Sequence, residues 1–239
     1  MNLLALETAT EACSVALLRI TADGRREVVA RRRHAPRQQT ELILPMVDEV
    51  LAEAGLTLRA LDALAYSRGP GAFTGVRIAA AVTQGLALGA DLAVIPVSSL
   101  QALAQGAARL RGADAVLASF DARMQEIYAG AFAADAQGLM QPLADEVACR
   151  PEAVPDALRA AWGRVASART LGAGSGWATY GEQLVATLPV AAQATDLEPD
   201  AEDVATLAVP VLQTGGAVAP EFALPVYLRD DVWKKLPGR

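Results

Sequence analysis

Short apolar runs at residues 3–7 and 12–18 flank a polar turn, Thr8-Ala9-Thr10-Glu11, which is the pattern of two strands joined as a hairpin. Residues 26–33, with Val28 and Val29 at their centre, supply a third strand. Apolar positions at helical spacing over residues 38–54, closed by Gly55, predict an amphipathic helix. Residues 63–67 then read as a fourth strand, 75–89 as a second helix and 92–97 as a fifth strand.

Three strands, helix, strand, helix, strand is the order of the ribonuclease-H-like half of actin- and hexokinase-type (ASKHA) α/β folds. That inference concerns topology and leaves function open. A weaker copy follows. Residues 115–120 run into Asp121-Ala122-Arg123 and 126–133 return as a strand, while Gly172-Ala173-Gly174-Ser175-Gly176 leads into a helix over 177–188. A duplicated fold of two lobes is expected, the second degenerate. Residues 1–98 form the first, 99–200 the smaller second, and a helix near 201–213, following the acidic cap Glu198-Pro199-Asp200, packs back on the first. Residues 214–239 read as an extended tail, kept so by Pro220, Pro225 and Pro237 and basic at its end.

The helix over 75–89 has Arg77 as its only charged side chain, with Thr83 and Gln84 the only other polar ones, so it is expected to be buried all round. Ala81, Gly85 and Gly89 recur every fourth residue and form a ridge of small side chains that lets another helix come close. On the preceding helix Leu42, Ile43, Leu44, Met46, Val47, Val50, Leu51 and Ala54 cover an apolar arc of roughly 200°, interrupted by Glu53, wider than the ≳100° stripe of a surface helix. Two adjacent helices with more apolar surface than one core uses point to an interface with another protein; packing within the domain is the alternative.

Composition narrows the chemistry. Apolar residues are 53% of 239 and charged ones 20%, the profile of a globular chain, and no apolar run reaches the ~18 residues of a membrane span. The opening meets Glu7 too early for a signal peptide, so a cytoplasmic protein is expected. The net charge of −6 repels a phosphate backbone, which assigns any RNA to another subunit. Lys occurs only at Lys234 and Lys235, which removes a P-loop lysine from the body, and His34 is the sole histidine, which removes His-pair metal motifs. Cys13 and Cys149 are too few for a disulfide framework and read as buried free thiols.

Two segments retain a chemical reading. Glu7, Thr8 and Thr10 sit at a strand end and turn that faces the phosphates and metal in actin-like nucleotidases, where an acid holds metal-bound water and hydroxyls bond phosphate oxygens. An ordinary hairpin turn is the alternative. Arg68-Gly69-Pro70-Gly71-Ala72-Phe73-Thr74-Gly75 places Gly71 in a flexible loop and Thr74 as the expected helix N-cap, ahead of a helix N-terminus suited to an anion; a plain capped turn is the alternative. Glu7, Thr8, Thr10, Gly71 and Thr74 together are the candidate vestigial nucleotide cleft.

Residues Leu4-Ala5-Leu6-Glu7-Thr8-Ala9-Thr10-Glu11-Ala12-Cys13-Ser14-Val15-Ala16-Leu17 and Arg68-Gly69-Pro70-Gly71-Ala72-Phe73-Thr74-Gly75-Val76-Arg77 resemble the two signature segments of the TsaB (YeaZ) family. Leu44-Pro45-Met46, Asp121-Ala122-Arg123-Met124 and Pro225-Val226-Tyr227-Leu228-Arg229 extend the resemblance over nearly the whole chain, residues 134–200 being variable. The resemblance implies a non-catalytic paralogue of TsaD. With TsaD and the ATPase TsaE it would support threonylcarbamoyl transfer to the adenosine beside the anticodon, in tRNAs reading codons that start with A. It implies a heterodimer with TsaD through the two helices, here about residues 39–54 and 74–89. Leu42, Met46, Val50, Arg77, Ala81, Gly85 and Gly89 are then the interface candidates. No metal or cofactor of its own is expected, with ATP or ADP at the complex boundary, tRNA reached only through the complex, and a homodimer when alone. Related chains often carry His before the Thr of the first helix, where this one has Gln39 before Thr40, and His34 lies outside that position. An ATP-binding phosphotransferase or a glycoprotease-like metallopeptidase is the other reading.

Overall fold

The computed structural model of the chain describes residues 1–165 and 169–229. β1 (Asn2–Glu7), β2 (Ala12–Ile20) and β3 (Arg26–His34) form an antiparallel meander, and β4 (Ala63–Gly69) and β5 (Ala93–Ser98) join the other side of β1 in parallel, in the order β3-β2-β1-β4-β5. The second sheet repeats this plan. β6 (Ala115–Arg123), β7 (Glu126–Ala134) and β8 (Met140–Pro142) are the meander, and β10 (Thr170–Ala173) and β11 (Ala192–Ala194) add in parallel beyond β6, while β9 (Val147–Cys149) also pairs with β7. One ribonuclease-H-like order occurring twice makes this the duplicated actin/hexokinase-like α/β fold that the strand pattern predicts.

The first sheet is covered on both faces, so the middles of its central strands are continuously apolar instead of alternating. Leu4, Leu6, Val15 and Leu17 pack under α1 (Gln39–Ala54) and α2 (Phe73–Ala90). Leu3, Ala5, Ala16 and Leu18 pack against α6 (Ala201–Gln213) on the other side. Asp200 caps α6 as expected, accepting from the Glu202 amide at 2.9 Å, and Ser14 Oγ accepts from the Ala201 amide at 2.9 Å.

Helix α3 (Ser99–Arg111) is absent from the sequence reading. It begins directly where β5 ends, and Ser98 serves both elements, its Oγ accepting from the Gln101 amide at 3.2 Å. Leu100, Leu103, Ala104 and Ala107 pack into the core of the second sheet while Ala102 belongs to the core of the first, so α3 is shared between the halves. Arg109 of α3 grips buried Asp203 of α6 with Nε–Oδ1 at 2.9 Å and Nη2–Oδ2 at 2.8 Å. Burial pushes the Asp203 carboxyl up to about 6 despite that partner. The second half also holds α4 (Asp156–Trp162) and α5 (Ser175–Thr187).

Residues 214–229 are not the free extended tail that their prolines suggest. Val218 pairs with Val94 on the open edge of β5, through N–O contacts of 2.8 and 2.9 Å. Gln84 Nε2 then donates to the Pro220 carbonyl at 3.1 Å and the Tyr66 hydroxyl to the Leu224 carbonyl at 3.1 Å. The Val226 amide donates to the Arg68 carbonyl at 2.7 Å. Arg229 ends the run on the β6–β7 hairpin, bonding the Ala122 carbonyl at 3.2 Å and the Glu126 carboxylate. The segment is a strap that covers a sheet edge and ties the first half to the second. Trp233, Lys234 and Lys235 lie outside the described residues.

Asp203→Ala leaves the Arg109 guanidinium without its bidentate partner, and a loss of roughly 2–3 kcal/mol of unfolding free energy is expected by urea titration. A change below about 0.5 kcal/mol would show that the pair contributes nothing to joining α3 and α6.

Candidate functional site

The candidate phosphate segments do meet, and they meet too closely to admit a ligand between them. The Ala72 amide donates to the Ala9 carbonyl at 2.7 Å, and Thr8 Oγ1 donates to the Gly75 carbonyl at 2.7 Å. A Cβ on Gly71 would lie 2.5 Å from the Ala9 oxygen, and one on Gly75 would collide with the Thr8 carbonyl. These glycines are needed so that the loop can sit on the turn. The two segments of the expected nucleotide cleft are thus in direct contact. Thr10 stabilises its own turn, its Oγ1 accepting from the Ala12 amide at 3.3 Å, and its carbonyl accepts from Gln39 Nε2 at 2.9 Å. Thr74 is not the N-cap. Ala72, tethered to the hairpin, holds that position, and exposed Thr74 lies within the first turn.

Glu7, at the end of β1 on the face that carries Leu3 and Ala5, is fully buried, with the Ala9 amide donating to Oε1. Burial pushes its carboxyl up from 4.5 to about 7, outweighing the pull of the Ala9 amide and the Ser67 hydroxyl. A carboxyl so enclosed, often protonated near neutrality, is a poor holder of metal-bound water. Among the described residues no three His, Cys, Asp or Glu side chains are grouped to hold a metal ion, and exposed His34 ends β3 at 3.7 Å from both Glu11 and Glu198. The second half repeats the seat. A Cβ on Gly176 would collide with Ser119, and Ser175 Oγ accepts from the Asp121 amide at 3.1 Å.

The helices above the seat divide differently from expectation. On α1, Met46 (1% exposed) and Val50 (0%) lie in this chain's own core with Ile43, Val47 and Leu51, and so have no surface to offer a partner. The wide apolar arc is largely consumed by the strands below it; only half-buried Leu42 and Ala54 and exposed Leu44 (48%) of that arc remain near the surface, with Glu41, Asp48, Glu49 and Glu53 exposed on the same helix. α2 is not buried all round. Val76, Ala79, Ala80, Thr83 and Ala87 are buried, but Phe73 (62%), Ala81, Gly85, Leu88 (63%) and Gly89 are open. Nothing lies within 4 Å of a Cβ placed on Gly85 or Gly89. Arg77 is half-buried, its Cζ 3.2 Å from the Phe73 ring centroid and 4.8 Å from that of Tyr227.

Phe73 and Leu88 were missed as surface residues although they share a wheel face with Ala81 and Gly85 at ~100° per residue. Exposed Phe222, Leu224 and Tyr227 of the strap were missed as well, because only the pairing of the strap with Val94, Tyr66 and Arg68 brings them beside α2.

A ribonuclease-H-like order occurring twice, with a turn–helix seat in each half and an apolar helix face left open, defines a class: a duplicated actin/hexokinase-like α/β protein. Residues 28–230 match the family model described as TsaD: tRNA N6-adenosine threonylcarbamoyltransferase. The chain is 43% identical over 240 residues to the tRNA threonylcarbamoyladenosine biosynthesis protein TsaB of Escherichia coli (strain K12), the alignment covering 100% of both. It is 43% identical to the protein of the same description from Haemophilus influenzae, over 100% of this chain and 98% of that one. The structure of YeaZ from Pseudomonas aeruginosa superposes with a TM-score of 0.84 at 44% identity, over 95% of this chain and 99% of that one. The chain belongs to the TsaB (YeaZ) family, as its signature segments predict.

The raised Glu7 carboxyl binds a proton in the folded chain that it releases at lower pH in the unfolded one. Its contribution to stability is therefore complete below 4.5 and lost as pH rises through about 7. Glu7→Gln should keep that contribution at all pH values and exceed the parent chain by roughly 1–3 kcal/mol at pH 8. Thermal unfolding from pH 5 to 8 checks this; a variant less stable than the parent at pH 8 would mean that the ionised form is the one the seat prefers.

Proposed function

We propose that this chain is a non-catalytic, cytoplasmic subunit in tRNA threonylcarbamoyladenosine formation, docking TsaD through the open face of α2 and acting with TsaE. The observation that carries the reading is that face: Phe73, Ala81, Gly85 and Leu88 stand exposed on a helix whose other side is packed in the core. The curated relatives named as biosynthesis proteins for this modification support the pathway. The closed seat at Thr8, Gly71 and Gly75 supports a supporting role, with ATP or ADP held at the boundary with TsaD. The net charge of −6 favours reaching tRNA through the complex. When TsaD is absent the same face is available to a second copy, and the two associations then compete. The enzyme readings gain less support. A phosphotransferase needs an open cleft above Glu7, and a histidine-based peptidase needs more than His34.

Reconstitution of the modification on tRNA with and without this chain, followed by mass spectrometry of the nucleosides, tests the class. Product is expected only when TsaD and this chain are both present, and none from this chain alone. Gly85→Trp places a large ring on open surface and should weaken TsaD binding by at least ~10-fold; unchanged binding and unchanged product would refute the α2 face.

A further inference from the structure

The strap runs antiparallel beside α2. Pro220 is bonded to Gln84, and Tyr227 lies 6.1 Å from Phe73 between ring centroids. On a helical wheel of ~100° per residue, Phe73, Arg77 and Gln84 form the edge of α2 nearest the strap, and Thr74, Ala81, Gly85 and Leu88 point outward. Ile78, Val82 and Leu86 occupy the opposite edge, packed on the core that α1 fills. The open face of α2 is thus continued on one side by the strap, whose Phe222 (62%) and Leu224 (60%) are exposed.

Arg77 is the one charged side chain of α2, and it makes no ion pair with a described residue. Nη1 donates to the Phe73 carbonyl at 3.0 Å, and the guanidinium is held by the Phe73 and Tyr227 rings. Ring contact orients the cation without neutralising it, so its remaining donors are available to a carboxylate. Most other arginines on this half are engaged by acids: Arg31 by Glu49 and Glu53, Arg32 by Glu198 and Asp200. A fixed cation with no acidic partner among the described residues, at the junction of two apolar strips, is complementary to an apolar helix bearing one acidic side chain.

We propose that the docking face comprises α2 together with strap residues 220–227, and that TsaD lays on it an apolar helix whose carboxylate meets Arg77. This rests on the reading that α2 binds TsaD. It adds a second strip of apolar contacts and a charged anchor. It also gives the strap a role in recognition besides closing the β5 edge.

The test uses the full chain and its cognate TsaD, with dissociation constants measured by calorimetry at low and high salt. Phe222→Ser combined with Leu224→Ser should weaken binding by at least ~10-fold. Arg77→Gln should weaken it and also flatten its salt dependence, which a merely structural arginine would leave intact. Unfolding midpoints within about 2 °C of the parent establish that the strap is still seated, and Phe222→Ser alone is used if the double variant falls below that. If the strap variants bind as the parent does while Gly85→Trp weakens binding, the face ends at α2 and this proposal is wrong while the proposed function stands. If Gly85→Trp is harmless too, both fail. Loss of self-association with TsaD binding intact makes a second copy the occupant and also overturns it.

Discussion

The seat of the 71–75 loop on the Thr8–Ala9 turn is the constraint on which the rest of the molecule depends. Two contacts make it: the Ala72 amide on the Ala9 carbonyl, and the Thr8 hydroxyl on the Gly75 carbonyl, each 2.7 Å. They set where α2 begins, and the start of a helix determines which of its residues face outward. With Ala72 as N-cap, Val76, Ala79, Thr83 and Ala87 turn inward and Ala81, Gly85 and Leu88 turn to solvent. Glu7, at the end of β1 beside this turn, is buried, and that burial raises its carboxyl.

The two halves are held together by elements that belong to neither. α3 buries one side in each core, the Arg109–Asp203 pair joins it to α6, and the strap crosses from the β5 edge to the β6–β7 hairpin. The strap runs past Tyr66 and Arg68, at the end of β4, and reaches Ala122 and Glu126 of the second half, so chain bonds span the two halves.

The legible parts of the sequence were those with length and a period. β1 to β7, α1, α2, α5 and α6 each carry enough apolar positions to be seen. α3 follows β5 with no turn, its cap Ser98 being the last residue of the strand, so no loop announces it. β8, β9 and β11 have three residues each, too few to show alternation. At the site, pattern named the right residues to compare but could not say how much of each helix the core consumes. It therefore placed Met46 and Val50 on a surface that the strands beneath them occupy, and closed a helix that the sheet covers on one side only. The strap was illegible because its meaning lies in backbone bonds to Val94, Arg68 and Tyr66, distant in sequence.

By length and composition α2 is the one helix among the described residues that could cross a membrane, and its placement argues for another use of those properties. Its buried half packs on β4 within the first core, which fixes it as a layer of the fold. Its open half is interrupted by Gly85 and Gly89, which expose backbone where lipid would favour bulk. Small residues at a four-residue interval leave a shallow channel along a helix, and the partner that gains most from such a channel is another helix, because its ridges can enter it. An apolar centre beside a charged edge is the anatomy of a protein interface, where the centre supplies contact area and the edge supplies orientation. Arg77, oriented by two rings and left unneutralised among the described residues, adds to that edge the one charge whose position the fold itself fixes.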